Sequence, residues 1–362
     1  MAAHHRAGYD VWAINRDGRG GAVAKVTLKD IAREVGLSVT SVSLVLNDRP
    51  CKVSEASRRK ILEAARRKGY VPNQIARSLV MQHTNTIGLI IPNIESRFFA
   101  SLAKNIELKC RERGYALIIT NSDDSPENDA KLVRLLINRG VDGLLIVVSD
   151  EFATDEQLLA DLSHLPTPFV MVDRFIEGLF CDKVRFNNEL GGYLATRHLL
   201  DQGHERIACI VNPRSNTGRE RLDGYVRALG ERGIPVRADY VLGSDYYIAS
   251  AYEAAARLLQ TDATAVFASS DNIALGLLKR LYAHDLRVPR DYSVVSYDNS
   301  AADVLFEPAL TSIEQNVPEL SQAALDLLFR RIAESETGEL GGPDEIVLDP
   351  KLVLKHSVRR LG

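Results

Sequence analysis

Twelve lysines and arginines fall between Lys25 and Val80, against five acidic residues in the same stretch. That segment carries a net charge of +7 and the rest of the chain −10, so the overall −3 hides a small basic module on an acidic body. A field of this kind attracts a polyanion, because lysine and arginine neutralise phosphates and release their counterions. A merely solvated charged helix face is the competing explanation of the charge taken alone. Bond-making chemistry is not offered: the chain has no GxxxxGK[ST] phosphate loop, no GxGxxG after a strand and no GxSxG elbow. His204-Glu205-Arg206-Ile207-Ala208 starts like a zinc-protease helix but lacks the second histidine and runs into a strand. Cys51, Cys110, Cys181 and Cys209 are scattered without the short paired spacing of a zinc site or a disulfide framework, and are expected to be buried hydrophobes. The reading is therefore a binding protein, with no catalysis, metal or cofactor expected.

The basic residues must be held on short helices. TLKDIAREVGLSVTSVSLVLN (27–47) places Ala32, Gly36 and Val42 where a helix-turn-helix needs a small residue, a turn glycine and an apolar lock on the second helix. Thr27 suits an N-cap with Asp30 in the first turn, and Ile31 and Val35 share a face. Ser38 caps the second helix over Val42, Val45 and Leu46; Ser54 caps a third, in which Ile61, Leu62 and Ala65 are expected to face inward before Gly69 ends it. A short helical stretch is expected over Asn73 to Val80, then a polar connector through Thr84, while residues 1–24, rich in Gly, Arg and Ala, read as a disordered extension.

From Thr86 the rhythm changes. Apolar runs at 87–91, 116–120, 143–148, 169–173, 207–211, 265–269 and 293–298 alternate with amphipathic helices. This predicts parallel sheets covered by helices, and the number of units over this length predicts two lobes with a cleft between them. No apolar run reaches the roughly 20 residues of a membrane span, and the first residues lack the block of a secretory signal, so a cytoplasmic protein is expected.

The segments 27–47 and VSEASRRKILEAARRKGYVPNQIARSL (53–79) resemble the lactose-repressor (LacI/GalR) family of bacterial transcriptional regulators, and the likeness runs over nearly the whole chain. The resemblance implies that Ser38 to Asn47 is a recognition helix in the major groove, with Val39, Thr40 and Leu44 toward base edges and Thr27, Ser38, Ser43 and Asn47 on phosphates. Leu44 departs from the family, which commonly carries arginine there. It also implies a hinge helix, Asn73 to Leu79, that puts Leu79 into the minor groove beside Ala76 and Arg77, and hence a homodimer on a palindromic double-stranded operator.

The larger part resembles the family's effector domain. The implied fold is a small all-α helix-turn-helix head plus an α/β two-lobed periplasmic-binding-protein-like (flavodoxin-like) domain. Its divisions are expected at 25–71 for the head, 72–84 for hinge and linker, 85–185 with 314–341 for the first lobe, and 186–313 with 342–362 for the second. Carried-over effector positions are Phe98, Asp173, Arg174, Ser215, Thr217, Arg221, Tyr246 and Asp298. Carboxylates and arginines can bracket hydroxyls and the aromatic rings give an apolar wall, so a sugar, nucleoside or purine-sized effector is implied. Tyr247, Ala251 and the pair Ser96-Arg97 depart from the usual pocket residues. The implied function is a repressor whose operator affinity an effector controls by closing the lobes. Two other readings stand beside it: an exported two-lobed binding protein, which would need a signal segment, and an effector-independent architectural DNA binder, which no metabolite would stabilise.

Overall fold

The computed structural model describes residues 26–47, 49–70, 83–149, 156–300, 307–338 and 341–361. The expected extension 1–24 and the hinge residues Asn73, Ala76, Arg77 and Leu79 lie outside them. The chain divides after Val80 into a head and a body.

The head is three helices, α1 (Leu28–Val35), α2 (Val39–Leu46) and α3 (Glu55–Arg67). Gly36 closes α1 in the left-handed region, φ 69°, and its N–H bonds to the Ala32 carbonyl, which turns the chain tightly into α2. Ser38 and Ser54 cap the next two helices by accepting from Ser41 N and Ser57 N. Ile31, Val42, Val45, Ile61, Ala64 and Ala65 form the buried core. Leu62 is a correction: it is 40% exposed, and Ala64 takes the inward position, because residues 61, 64 and 65 share one face at helical spacing and 62 falls beside it.

The body has two six-stranded sheets. The first comprises β1 (Thr86–Ile91), β2 (Ala116–Asn121), β3 (Gly143–Ile146), β4 (Phe169–Val172), β5 (Asp182–Phe186) and β11 (Glu345–Leu348), in the order β11-β5-β4-β3-β1-β2, all parallel. The second comprises β6 (Ile207–Val211), β7 (Val241–Gly243), β8 (Ala265–Ala268), β9 (Ser293–Asp298), β10 (Thr311–Glu314) and β12 (Lys351–Val353), in the order β12-β10-β9-β8-β6-β7, with β12 alone antiparallel. Helices α4 (Arg97–Glu112), α5 (Pro126–Asn138), α6 (Glu156–Ser163) and α11 (Val317–Thr337) belong to the first lobe, and α7 (Asn188–Asp201), α8 (Asn216–Glu231), α9 (Ile248–Leu258) and α10 (Asp271–Ala283) to the second. Each sheet is buried between two apolar clusters, as its near-continuous apolar strands require.

The chain passes between the lobes three times: after β5, after β10 and after β11. The boundary expected at 341/342 therefore falls too early. Residues 345–348 pair with β5 in the first sheet, Ile346 and Leu348 pack on its core, and a buried clamp fixes the approach. In that clamp Arg331 donates to both oxygens of Asp182, at 2.7 and 2.8 Å, and Asp344 N donates to Asp182 Oδ1 at 2.8 Å.

Candidate functional site

In the head, α2 buries Val42 and Val45 and turns Val39 (39% exposed) and Thr40 to solvent at its first turn, with Ser43 and Leu44 half-buried. The end that is open is the end a groove-reading helix presents to base edges. The hydroxyls also have local work. Ser38 Oγ accepts from Ser41 N at 3.0 Å. Thr27 donates both N–H and Oγ–H to Asp30 Oδ2, at 2.9 and 2.7 Å, and these bonds hold the Asp30 carboxyl below its ordinary range. Asn47 Nδ2 donates to the Ser43 carbonyl at 2.8 Å, closing the end of α2. Glu34 of α1 pairs with Arg67 and Lys68, which ties the end of α3 to α1.

In the body, a cleft of about 200 Å³ is built from the carboxyl ends of strands in both sheets. Residues after β1, β2 and β4 (Ser96 to Phe99, Asp124, Asp173, Arg174) face residues at the end of β9 (Asp298) and after β7, β8 and β10 (Tyr246, Asp271, Gln315), with Thr217 and Arg221 from α8. Asp173 and Asp298 both sit in the left-handed region, at φ 65° and 87°, which turns the chain at the strand end.

Arg221 is the buried cation of the second lobe. Its Nε donates to Asn188 Oδ1 at 2.9 Å and its Nη1 to the Ser269 carbonyl at 2.6 Å. The guanidinium lies 3.7 Å from the Tyr297 ring centroid and 3.9 Å from Asp298 Oδ1. Burial pushes the Asp298 carboxyl up to about 7, with Asp271 adding to the rise and Arg221 opposing it. Burial likewise raises Asp173, against Arg221 and Arg174. Asp271 is held by Ser296 Oγ at 2.8 Å and by Ser300 N and Oγ at 2.8 and 2.9 Å, while its own N–H donates to Asp298 Oδ2 at 3.2 Å.

Three buried polar groups of this region have atoms without a protein hydrogen-bond partner: Asp173 Oδ1, both amide atoms of Gln315, and Ser269 Oγ. An unpaired buried polar group costs about 1–3 kcal/mol, so these atoms favour a ligand that donates and accepts hydrogen bonds.

Of the effector positions expected from sequence, Phe98, Asp173, Arg174, Thr217, Arg221, Tyr246 and Asp298 line this cleft. Ser215 lines the adjoining hollow that shares Asp124, Arg174 and Tyr246 with this cleft; its hydroxyl also accepts from Gly218 N at 3.4 Å, capping α8, and is 2.6 Å from Thr217 Oγ1. Gln315, Asp271, Asn93 and Ser300 also line the cleft and were missed. Asp271 opens a helix directly after a strand, a signal the sequence carries; Gln315 follows β10, a four-residue strand without an apolar run.

Residues 27–73 match the model of bacterial regulatory proteins of the lacI family, and residues 196–358 match that of a periplasmic binding protein-like domain. The HTH-type transcriptional repressor PurR of Photobacterium profundum is 36% identical over 339 residues, covering 93% of this chain and 99% of that protein. Among solved structures, the lac repressor dimer bound to operator and the anti-inducer ONPF superposes with a TM-score of 0.80 at 26% identity, covering 92% of this chain and 99% of that one. The transcriptional regulator CelR in complex with cellobiose gives 0.68 at 31% identity, with the same coverages. The chain belongs to the lacI family of bacterial regulatory proteins and is a DNA-binding transcriptional regulator. Its relatives are regulators, not enzymes. Among the described residues no helix is long and apolar enough to cross a membrane.

Proposed function

We propose that the chain is a repressor that acts in the cytoplasm, at the nucleoid, binding a palindromic operator as a homodimer and carrying out no catalysis of its own. Val39, Thr40 and Leu44 read base edges; Thr27, Ser38, Ser43 and Asn47 set register on phosphates; Asn73, Ala76, Arg77 and Leu79 form the hinge that enters the minor groove. A sugar, nucleoside or purine-sized effector binds between the lobes against Phe98, Asp173, Arg174, Ser215, Thr217, Arg221, Tyr246 and Asp298. The observation that carries this reading is the pairing of a buried Arg221–Asp298 charge couple with unpartnered polar atoms on Asp173 and Gln315 in one cleft. Relatives described as a repressor, as bound to operator and as a cellobiose complex support it.

The effector changes operator affinity by the difference in its affinity for the open and closed lobes, and a coupling of about 1–3 kcal/mol gives a 5–150-fold response. Thermal melting against a panel of sugars, sugar phosphates, nucleosides and purines tests the cleft. A ligand at about 100 times its dissociation constant adds roughly 2.7 kcal/mol of stability. That gain disappears in Asp298→Ala; a panel without any shift sinks the effector reading and leaves an effector-independent DNA binder.

A further inference from the structure

Arg174 lines the cleft within reach of one aromatic ring from each lobe. Its guanidinium lies 5.4 Å from the ring centroid of Phe99 in the first lobe and 5.2 Å from that of Tyr246 in the second. The side chain is buried, and Nη1 donates to Asp124 Oδ1 at 2.9 Å and to the Ser149 carbonyl at 2.7 Å, both in the first lobe. Tyr246 is fixed as firmly: its hydroxyl is 3.1 Å from Thr217 Oγ1, and its carbonyl accepts from Asn272 Nδ2 at 3.0 Å. Neither Arg174 nor the second-lobe wall is loose.

A guanidinium is planar, weakly hydrated and stacks on aromatic faces, which are the faces a purine or a nucleoside base would use. A second hollow of about 200 Å³, lined by Asp123, Asn212, Arg214, Asp245 and Tyr247, shares Asp124, Arg174 and Tyr246 with the main cleft. The atoms lacking a protein partner, on Asp173 and Gln315, suit the hydroxyl groups of a polyol, which both donate and accept.

We propose that Arg174 is a specificity-determining residue of this cleft: it seals the slot between Phe99 and Tyr246 against a planar aromatic ring. The effector is thereby confined to a compact, non-aromatic polyhydroxyl compound. Because the guanidinium is anchored in one lobe and stacks on the other, it also ties the lobes together, beside the more exposed Arg185–Glu220 pair at 3.4 Å. This inference rests on the effector-cleft reading above and narrows its ligand.

The test uses the full chain, as wild type, Arg174→Ala and Arg174→Lys, titrated calorimetrically with adenine, guanine, adenosine and a set of neutral mono- and disaccharides, with binding to a selected operator duplex measured in parallel. The wild type is expected to bind at least one sugar and none of the bases or adenosine. Arg174→Ala is expected to bind adenine or guanine about ten-fold tighter than the wild type or better, from the two ring faces it uncovers. Arg174→Lys keeps the charge without the flat fork and is expected to move the same way, which carries the test if the alanine variant does not fold. Base binding by the wild type, variants as closed to bases as the wild type, or no sugar bound at all would each overturn the proposal. If operator binding persists through such a result, only the role of Arg174 fails; a wild type that does not bind DNA sinks the regulator reading beneath it.

Discussion

Gly192 of α7 lies against the backbone of Arg221 in α8, so close that a Cβ on Gly192 would stand 2.0 Å from the Arg221 carbonyl oxygen. One turn further along α8, a Cβ on Gly224 would stand 2.0 Å from the Glu189 carbonyl oxygen. Two backbones touch here, and that contact sets where the buried guanidinium of Arg221 points. A bulk change at these glycines therefore reaches the cleft through backbone position alone.

Gly192→Ala and Gly224→Ala are predicted to force α7 and α8 apart. Overpacking of this kind costs about 1–3 kcal/mol, and more where the obstacle is backbone. Chemical denaturation should show the loss, and the ligand-induced rise in melting temperature should shrink in the same variants. Stability equal to wild type in both would mean that the helices do not approach as described.

Removing Arg221 leaves Asp298 without its buried cation and Asp173 with Arg174 alone. Truncating one partner of a buried pair costs about 3–5 kcal/mol, so Arg221→Ala should be strongly destabilised. Arg221→Lys keeps the charge but not the fork that reaches Asn188 and Ser269, nor the stack on Tyr297. Its melting temperature should lie between those of the wild type and the alanine variant; an alanine variant as stable as wild type would contradict the electrostatic account.

Asp129 gives the body a pH dependence. It is buried on α5 and accepts from Ser149 N at 2.8 Å, and burial raises its carboxyl from the ordinary 3.8 to about 6, against bonds from Ser149 and Ser122 and the charge of Arg174. The folded state thus holds the proton more tightly than the unfolded state. The associated stabilisation is complete below about pH 4 and is lost as pH rises through about 6, amounting to up to about 3 kcal/mol. Asp129→Asn should abolish this slope in denaturation curves taken between pH 4 and 8, and a slope unchanged by the substitution would assign it elsewhere.

Leu44 cannot grip guanine through two hydrogen bonds, as an arginine at that position could. Operator selection is predicted to return thymine, or no preference, at the base pair it faces. Leu44→Arg should shift that pair toward guanine by about 1–3 kcal/mol. Strict guanine selected by the wild type would remove Leu44 from the readout.

Much of this was legible in the chain. Thr27, Gly36 and Ser38 announce the head because a cap or a left-handed turn depends on the residue itself and its near neighbours, and the β1, β3, β4, β6, β8 and β9 runs announce a parallel sheet because burial on both faces demands apolar residues throughout. The short strands β5, β7, β10 and β11 do not announce themselves: DKVRF (182–186) alternates, and EIVL (345–348) reads as loop until β5 is there to pair with it. Leu62 was misplaced because periodicity shows a face without showing how much of it a small domain covers. Gln315 was missed because its place in the cleft comes from the pairing of β10 with β9, which sets Glu314 opposite Asp298, a tertiary event.

The most direct test of the central claim is operator affinity, measured by fluorescence anisotropy on a selected duplex with and without a cleft ligand, for the wild type and Asp298→Asn. The account predicts a ligand-induced change of about 5–150-fold in the wild type, falling to no change in Asp298→Asn. A ligand that stabilises the wild type through the cleft yet leaves operator affinity unmoved would contradict it.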